Sequence, residues 1–403
     1  MRKGANNFLS GITVLDLADE KASFCSKLLA DMGSRVIKIE QPCGDPSREI
    51  GPFFHGSPHP EKSLLFWYHN TNKLGITLNL EHSAGRDIFR KLVKNADIIV
   101  ETFPPGYLAD IGLDFESLCR VNPRVILASV TGYGQDGPRR HFPSCDLIAS
   151  ATGGQMYVSG APSTPPLKPF GEQSYYAASL NAVIGVLLAL RETRRNGRGE
   201  HIDISLQEAA ISTLEHVMVR YFHDHEIPER TGSLTWNNEF CVVPCRDGFI
   251  LLTLFRQWEV LIGWLDSDGM ADDLRDERWN DEQYRLSHLD HIVAVVKQWA
   301  QTHTKEELLQ MGQAMGFPWA SVSGLREVAE SPQLRERGFF VPIDHPELGT
   351  AILYPRLPYI CTPPMNMKQR RAPLIGEDTA RVLQGEVGLS DEELQKLARQ
   401  GTI

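Results

Sequence analysis

ITVLDLADEKASFCSKLLADMGSRVIKIE, residues 12–40, has the most informative pattern in the chain. Its two ends, 12–18 and 35–40, are short apolar runs that predict buried strands. The segment between them has the spacing of an amphipathic helix, and Gly33 is placed to end that helix. A strand, a helix and a second strand in this order predict two parallel strands joined by a right-handed crossover.

The same alternation continues through the first half of the chain. Strands are predicted at 75–80, 97–101 and 124–130, with a helix over 83–96. This pattern indicates an α/β fold with a Rossmann-like, doubly wound parallel sheet, whose ligands bind beyond the carboxyl ends of the strands. The turn at 18–22 has no glycine fingerprint, so the sequence argues against a nicotinamide dinucleotide.

The pattern changes in the second half of the chain. A helix over 174–191 is apolar nearly all round, which indicates a core or a large interface, and a second long helix is predicted over 207–226. From about 230 onward, shorter strands and helices predict a smaller α+β domain. The expected domains are a large Rossmann-like domain with linker helices at 1–225, a small α+β domain at 226–325, and a segment returning to the large domain at 326–403.

Composition excludes several classes of protein. The 403 residues are 42% hydrophobic and 23% charged, and the formal charge of −10 argues against nucleic-acid and anionic-membrane partners. No apolar segment approaches the roughly 20 residues that a membrane helix needs. Seven scattered cysteines suit a reducing, cytoplasmic location. No metal site is predicted, because the run His223–His225 has no further ligand cluster beside it.

The motif KPFGEQ, residues 168–173, is the candidate catalytic element. It places the carboxylate of Glu172 on a glycine turn with the N-terminus of the long apolar helix behind it. Such a carboxylate can serve as a covalent catalyst. Alternatively, Glu172 only favours the helix N-terminus, an effect of roughly 0.3–1 kcal/mol. The residues alone leave both interpretations open.

Five sequence blocks, in this order and spacing, resemble the family III CoA-transferases. The blocks are LLADMGSRVIKIEQPCGDPSR (28–48), NTNK (70–73), ETFPPGYLADIGLDFESL (101–118), NPRVILASVTGYGQDGP (122–138) and NGRGEHIDISLQEA (196–209). The family includes formyl-CoA, carnitine and benzylsuccinate CoA-transferases and the related methylacyl-CoA racemase. The resemblance implies two chains interlocked like links, with a homologous chain as the partner in a homo- or heterodimer.

The resemblance also implies a reaction. A family III enzyme moves CoA from an acyl-CoA to a carboxylic acid through enzyme-bound anhydride and thioester intermediates, with neither metal nor nicotinamide. Glu172 stands where an aspartate nucleophile is expected, so the catalytic carboxylate lies one methylene further from the backbone. The branch that this chain resembles uses succinyl-CoA as donor and an aromatic succinate, such as benzylsuccinate, as acceptor.

Further positions follow from the resemblance. The residues expected at the CoA site are Asp19, Lys21, Asn72, Lys73, Thr102, Phe103 and Arg140. Lys73 is the predicted phosphate contact, with a solvated strand-edge lysine as the alternative. Asp110 and Phe142 stand where cations that hold CoA are often found, and Arg140 is a possible substitute. Replacing a cation with an aspartate should weaken CoA binding, because CoA carries several phosphate charges.

Two alternatives remain open at this point. The first is a catalytically silent subunit of a heteromeric CoA-transferase, whose partner chain carries the aspartate. The second, weaker alternative is an acyl-CoA racemase, which should have a histidine where Cys145 precedes Asp146. Aromatic side chains near the motif are candidates for an acceptor pocket, namely Phe170, Tyr175, Tyr176 and Trp236.

Overall fold

The computed structural model of the protein describes residues 7–235, 239–362, 364–365 and 369–403. Trp236 therefore lies outside the described residues. The larger of two compact units contains the described residues up to Met156, together with Lys168–Glu226 and Glu336–Ile403. The smaller unit contains Tyr157–Leu167 and Ile227–Arg335. The domain boundaries predicted from the sequence stay predictions.

A parallel sheet forms the centre of the larger unit. Its strands are β1 (Thr13–Leu17), β2 (Arg35–Glu40), β3 (Leu74–Thr77), β4 (Ile98–Glu101), β5 (Ile126–Thr131) and β6 (His201–Ser205). In the described part of the chain these six strands are ordered β3-β2-β1-β4-β5-β6, and every neighbouring pair is parallel. The predicted Rossmann-like, doubly wound sheet is confirmed.

Helices cover both faces of this sheet, and both faces are therefore apolar. Val14 and Val36 belong to the core on one face, whereas Leu15 and Ile37 belong to the core on the other. This double burial explains why the strands read as continuous apolar runs. The helices are α1 (Ser23–Asp31), α2 (Leu64–His69), α3 (Ser83–Val93), α4 (Tyr107–Asp110), α5 (Phe115–Val121), α6 (Asp146–Thr152), α7 (Gln173–Asn196), α8 (Leu206–Ser212) and α9 (Val217–Asp224).

The single long helix predicted over 207–226 is wrong, because α8 and α9 are separated by four residues. The hydroxyl groups of Ser212 and Thr213 donate to the carbonyl oxygens of Ala209 and Ala210, each at 2.7 Å. Such bonds offer the backbone an alternative to the helical ladder. Glu215 then adopts a left-handed conformation with φ 47°, so the chain leaves the helix here.

Helix α7 also differs from the composition-based expectation. By length and composition, its 24 residues are apolar enough to cross a membrane. Half of its most apolar stretch is buried inside the protein, and core helices of globular proteins meet the same criteria. This helix is therefore weak evidence for a membrane span.

The smaller unit combines an antiparallel sheet with helices. Its elements are β7 (Leu234–Thr235), β8 (Phe240–Cys245), β9 (Gly248–Thr253), β10 (Ala320–Ser321), α10 (Trp258–Ser267), α11 (Glu282–Ser287), α12 (Leu289–Ala300), α13 (Lys305–Ala314) and α14 (Leu325–Glu330). Thr304 caps α13 with the expected capping box. The helix α15 (Pro332–Glu336) follows.

The C-terminal segment packs with the larger unit. It contains the hairpin of β11 (Phe340–His345) and β12 (Thr350–Pro355), then α16 (Thr379–Val382) and α17 (Asp391–Arg399). The carboxylate of Asp378 accepts a hydrogen bond from the Gly75 amide at 3.0 Å, which fixes the segment to β3. Ser390 forms the predicted capping box of α17.

Candidate active site

A cavity of about 580 Å³ opens at the carboxyl ends of the parallel strands. Leu17 of β1, Glu40 of β2 and Thr131 of β5 line it, together with Thr102 just after β4. The strand order reverses at β1, whose two neighbours are β2 and β4. Doubly wound sheets bind ligands at this switch point, so this cavity, called the cleft below, is the candidate ligand site.

Five of the seven residues predicted for the CoA site line the cleft together: Asp19, Lys21, Thr102, Phe103 and Arg140. The hydroxyl of Thr102 donates to the Asp19 carboxylate at 2.8 Å, and the Asp19 amide donates to the same hydroxyl at 3.0 Å. Lys21 pairs with the Asp19 carboxylate. The turn after β1 is thereby fixed against the end of β4.

Lys73 and Asn72 do not line the cleft. Lys73 is 0% exposed. Its Nζ atom lies 2.8–2.9 Å from the oxygens of Asp16, Ser23, Ser26 and Asn70. Asn72 donates to Asp31 at 2.7 Å and to Gln369 at 3.0 Å. The Lys73 ammonium is thus a buried structural cation, which differs from both the predicted phosphate contact and the solvated strand-edge alternative.

Paired charges dominate the wall of the cleft. Glu40 pairs with Arg48 at 2.6 Å, and Asp45 pairs with Lys38 at 2.5 Å. Among the described cleft residues, Arg140 is the cation that has no carboxylate partner. Arg140 is therefore the group best placed to meet a phosphate.

Glu172 lies at the N-cap of α7, as the sequence predicts, but its side chain forms no capping hydrogen bond. The carboxylate of Asp146 takes that role by accepting a hydrogen bond from the Ser174 amide at 2.8 Å. Lys168 pairs with the same carboxylate at 2.7 Å and also donates to the carbonyl oxygen of Gly171. Asp146 was expected to matter only in the racemase alternative. Its capping role could not be predicted, because residues 145 and 146 carry no capping motif for a helix that begins at 173.

The electrostatic surroundings of Glu172 disfavour its charged form. Its Oε2 atom is buried and has no hydrogen-bond partner among the described residues. Burial raises the pKa of the Glu172 carboxyl, the carboxylates of Asp146 and Glu20 raise it further, and Lys168 partly offsets them. Glu172 itself is not among the described residues that line the cleft, and Glu20 lies in the chain between two residues that do, Asp19 and Lys21.

A further buried carboxylate, Glu101, bonds the backbone of the cleft residue Phe103. Glu101, at the end of β4, is 3% exposed and accepts a hydrogen bond from the Phe103 amide at 2.6 Å. Burial raises the pKa of Glu101 to about 7, although bonds from Ser129 and from the Phe103 backbone oppose the shift. Ser129 also bonds His201 at 2.9 Å. The position of Phe103 thus depends on a carboxyl that titrates near neutrality.

Comparison with known proteins identifies the family. The model of CoA-transferase family III matches residues 9–379. The chain belongs to this family. It is 33% identical to succinyl-CoA:(R)-benzylsuccinate CoA-transferase subunit BbsE of Thauera aromatica, over 98% of each chain. It is 31% identical to succinyl-CoA–L-malate CoA-transferase beta subunit of Chloroflexus aurantiacus, again over 98% of each chain.

A solved structure agrees with the family assignment. The crystal structure of a CaiB/BaiF family protein from Brucella suis superimposes with a TM-score of 0.83 and 27% sequence identity. The match covers 94% of this chain and 100% of that one. The family assignment makes the cleft the candidate binding site for CoA and Glu172 the candidate catalytic residue.

Proposed function

We propose that this family III CoA-transferase moves CoA from succinyl-CoA to a carboxylic acid, with Glu172 as the covalent acceptor. The observation that carries the proposal is the buried Oε2 atom of Glu172, which has no hydrogen-bond partner in the described part of the chain and does not cap α7. The Glu172 carboxylate is therefore available for chemistry. The two relatives that use succinyl-CoA support the choice of donor.

The reaction proceeds in balanced steps. A carboxylate oxygen of Glu172 attacks the thioester carbonyl of succinyl-CoA, the carbon–sulfur bond breaks, and a mixed anhydride and CoA thiolate form. The thiolate then attacks the Glu172 carbonyl and releases succinate, leaving Glu172 as a CoA thioester. The acceptor carboxylate repeats the two steps in reverse order and leaves as its CoA thioester, which restores the Glu172 carboxylate.

The acceptor that we propose is an aromatic succinate. One relative is named for (R)-benzylsuccinate, and aromatic side chains lie in the first turn of α7, next to Glu172. Tyr175 is buried and Tyr176 is half-buried, whereas Phe170 is 97% exposed. Competition between benzylsuccinate and L-malate as acceptors, measured with succinyl-CoA as donor, tests this choice; a preference for malate contradicts it.

Trapping of the intermediate tests Glu172. The purified protein is incubated with succinyl-CoA and then treated with hydroxylamine, and the peptide spanning Glu172 is examined by mass spectrometry. We expect a hydroxamate on Glu172 and loss of turnover in Glu172→Gln. In Glu172→Asp the carboxylate withdraws by more than an ångström, and a misplacement of ~1 Å can lower the rate about a hundredfold. An unmodified peptide after turnover, with Glu172→Gln still active, would refute the proposal.

A second candidate function is a non-catalytic subunit whose homologous partner carries the nucleophilic aspartate. The specific observation in its favour is the raised pKa of Glu172, which burial and two nearby carboxylates cause and which lowers the fraction of ionised nucleophile. Both relatives named above are themselves subunits. This function predicts a co-purifying chain of similar size on a denaturing gel, and full activity of the pure single-chain protein excludes it.

A further inference from the structure

A short hydrogen-bonded chain links α1, α2 and α7 beside Glu172. His69, at the end of α2, lies with its Nε2 atom 3.1 Å from the Tyr176 hydroxyl. Its Nδ1 atom lies 3.3 Å from the Ser23 hydroxyl. Ser23 and His69 are 1% and 2% exposed, so both act inside the protein. The Ser23 carbonyl oxygen accepts a hydrogen bond from Lys73 at 2.9 Å, which anchors the chain.

The direction of these bonds follows from the requirement that buried polar hydrogens find acceptors. His69 is neutral, because burial and the nearby Lys73 and Lys27 lower its pKa to about 3. The hydroxyl of Ser23 has His69 Nδ1 as its hydrogen-bond partner among the described residues. Ser23 therefore donates to Nδ1, and the remaining His69 proton is on Nε2, where it donates to the oxygen of Tyr176.

This tautomer leaves the hydroxyl proton of Tyr176 free to donate elsewhere. The ring cannot swing away easily, because Phe24 packs edge-on against it with ring centroids 4.8 Å apart. Tyr176 follows Glu172 by one helical turn, and its amide donates to the Glu172 carbonyl oxygen at 3.1 Å. Helical side chains lean toward the N-terminus of their helix, and Glu172 is the N-cap residue of α7. Burial raises the pKa of Tyr176 to about 12, with smaller contributions from Tyr68 and from the charge of Glu172, so the phenol stays protonated.

We propose that Tyr176, oriented by His69, donates a hydrogen bond to the carboxyl oxygens of Glu172 and to the oxyanions formed there during CoA transfer. This inference rests on the proposed covalent role of Glu172. Tyr176 is then a catalytic residue that contacts the reacting atoms, and His69 is a positioning residue. Among the described residues the buried Oε2 atom of Glu172 has no hydrogen-bond partner, and the Glu172 side chain makes no capping bond. The Glu172 carboxyl gains its donor when its side chain turns toward the Tyr176 hydroxyl.

The expected effect of removing this donor is on kcat. Loss of one oxyanion donor in other enzymes lowers kcat by roughly 10²–10³, and we expect a loss of at least about tenfold for Tyr176→Phe because the site is partly solvated. The KM for succinyl-CoA should change little, since Tyr176 does not line the cleft. A hydrogen bond to a carboxylate favours its charged form. The acidic limb of the kcat/KM profile should therefore move to higher pH in Tyr176→Phe.

Three further variants serve as controls, all in the full-length protein with any co-purifying chain. Tyr68→Phe removes a hydroxyl from the same aromatic cluster, where Tyr68 packs on Phe24, and should leave activity unchanged. His69→Gln keeps an N–H donor for Tyr176 and should stay closer to the wild type than His69→Leu. Thermal unfolding of each variant shows whether it folds.

Trapping of the Glu172 adduct separates failure of this inference from failure of the proposed function. Slow adduct formation in Tyr176→Phe, with the alkaline shift and with His69→Gln more active than His69→Leu, supports the inference. Normal adduct formation in Tyr176→Phe, equal to that in Tyr68→Phe, overturns it and leaves Glu172 as nucleophile. Absence of any adduct in an active wild-type protein overturns both.

Discussion

The buried ion pair of Lys73 and Asp16 allows a test of whether Lys73 stabilises the fold of this family III chain or contacts CoA. Both side chains are 0% exposed, and Nζ lies 2.8 Å from the Asp16 carboxylate. The same carboxylate accepts hydrogen bonds from the Ser26 hydroxyl at 2.6 Å and from the Ala18 amide at 3.1 Å. We predict that Lys73→Met destabilises the protein strongly, because it leaves the Asp16 charge buried without a counter-ion.

The magnitude follows from the burial of both partners. Removing one member of a buried pair costs about 3–5 kcal/mol, since the remaining charge stays desolvated. For a unit of this size, such a loss lowers the midpoint of thermal unfolding by roughly 10 °C. Asp16→Asn combined with Lys73→Met removes both charges and keeps an acceptor for the Ala18 amide. We expect this double variant to recover about half of the lost stability.

Scanning calorimetry at neutral pH measures the unfolding midpoints of the wild type, Lys73→Met and the double variant, and steady-state kinetics supply the KM for succinyl-CoA. The structural role predicts a low midpoint for Lys73→Met, partial recovery in the double variant and a KM within about twofold of the wild type. A Lys73→Met protein that unfolds at the wild-type temperature but has a much higher KM would refute this reasoning. Lys73 would then contact a CoA phosphate, as the family resemblance implied.

Three further predictions concern the cleft and the sheet that carries it. Arg140→Glu replaces the cation that has no carboxylate partner among the described cleft residues, and it should raise the KM for succinyl-CoA roughly five- to tenfold. Arg139 is also exposed but is not in the cleft lining, so Arg139→Glu should leave the KM unchanged, and equal effects of the two variants contradict the assignment. The folded-state pKa of Glu101 is raised from 4.5 to about 7, so the folded protein holds this proton more tightly than the unfolded chain does. The stability that the proton contributes is fully present below pH 4.5 and is lost, by up to roughly 3 kcal/mol, as the pH rises to about 7. The free energy of unfolding in urea should therefore change less between pH 5 and pH 8 in Glu101→Gln than in the wild type. An equal change in both proteins would show that Glu101 is not the group that takes up this proton. Gly199→Ala sets a methyl group against backbone carbonyl atoms just before β5 and should lower the stability measured by thermal unfolding by about 1–3 kcal/mol. Gly263→Ala in α10 adds its methyl group to open space and should be neutral or stabilising. The reverse order of stability would contradict the packing described.

Local chemistry accounts for what the sequence predicts well. The strand at 35–40 is predicted with its observed bounds, because an apolar run starts after the Gly33 stop and ends at a polar loop. The break between α8 and α9 could not be predicted in this way. It contains neither glycine nor proline, and it depends on hydroxyl groups that bond backward to carbonyl oxygens. Those bonds appear only once the backbone conformation is known.

Residues that are far apart in the sequence but in contact in the fold limit how much of the site can be predicted from the sequence. Asp19 and Thr102, which follow the ends of β1 and β4, line the cleft together because parallel strands bring their carboxyl ends to one edge, and their contact with CoA stays a prediction from the family resemblance. Lys73 lies outside the cleft, because its ammonium bonds Asp16, which precedes it by 57 residues. The bond between His69 and Tyr176 spans 107 residues, and no motif in either segment indicates it. Buried polar partners of this kind are set by tertiary packing and carry no local signal.

The structure also changes what the glutamate at position 172 means. The sequence offered a helix-stabilising role as the alternative to catalysis, but Asp146 performs the capping, and the surroundings of Glu172 penalise its charge. A buried carboxylate with carboxylate neighbours is high in free energy only while it is ionised. The anhydride and the CoA thioester that we propose on Glu172 are neutral at that carbonyl, so the same surroundings do not penalise them. The environment that raises the pKa of Glu172 would therefore narrow the free-energy gap between the resting carboxylate and these proposed intermediates. A nucleophile that is longer by one methylene, with an unfavourable charge in the resting state, is thus compatible with turnover. Detection of the adduct on Glu172 is the measurement that decides between a catalytic Glu172 and a silent subunit.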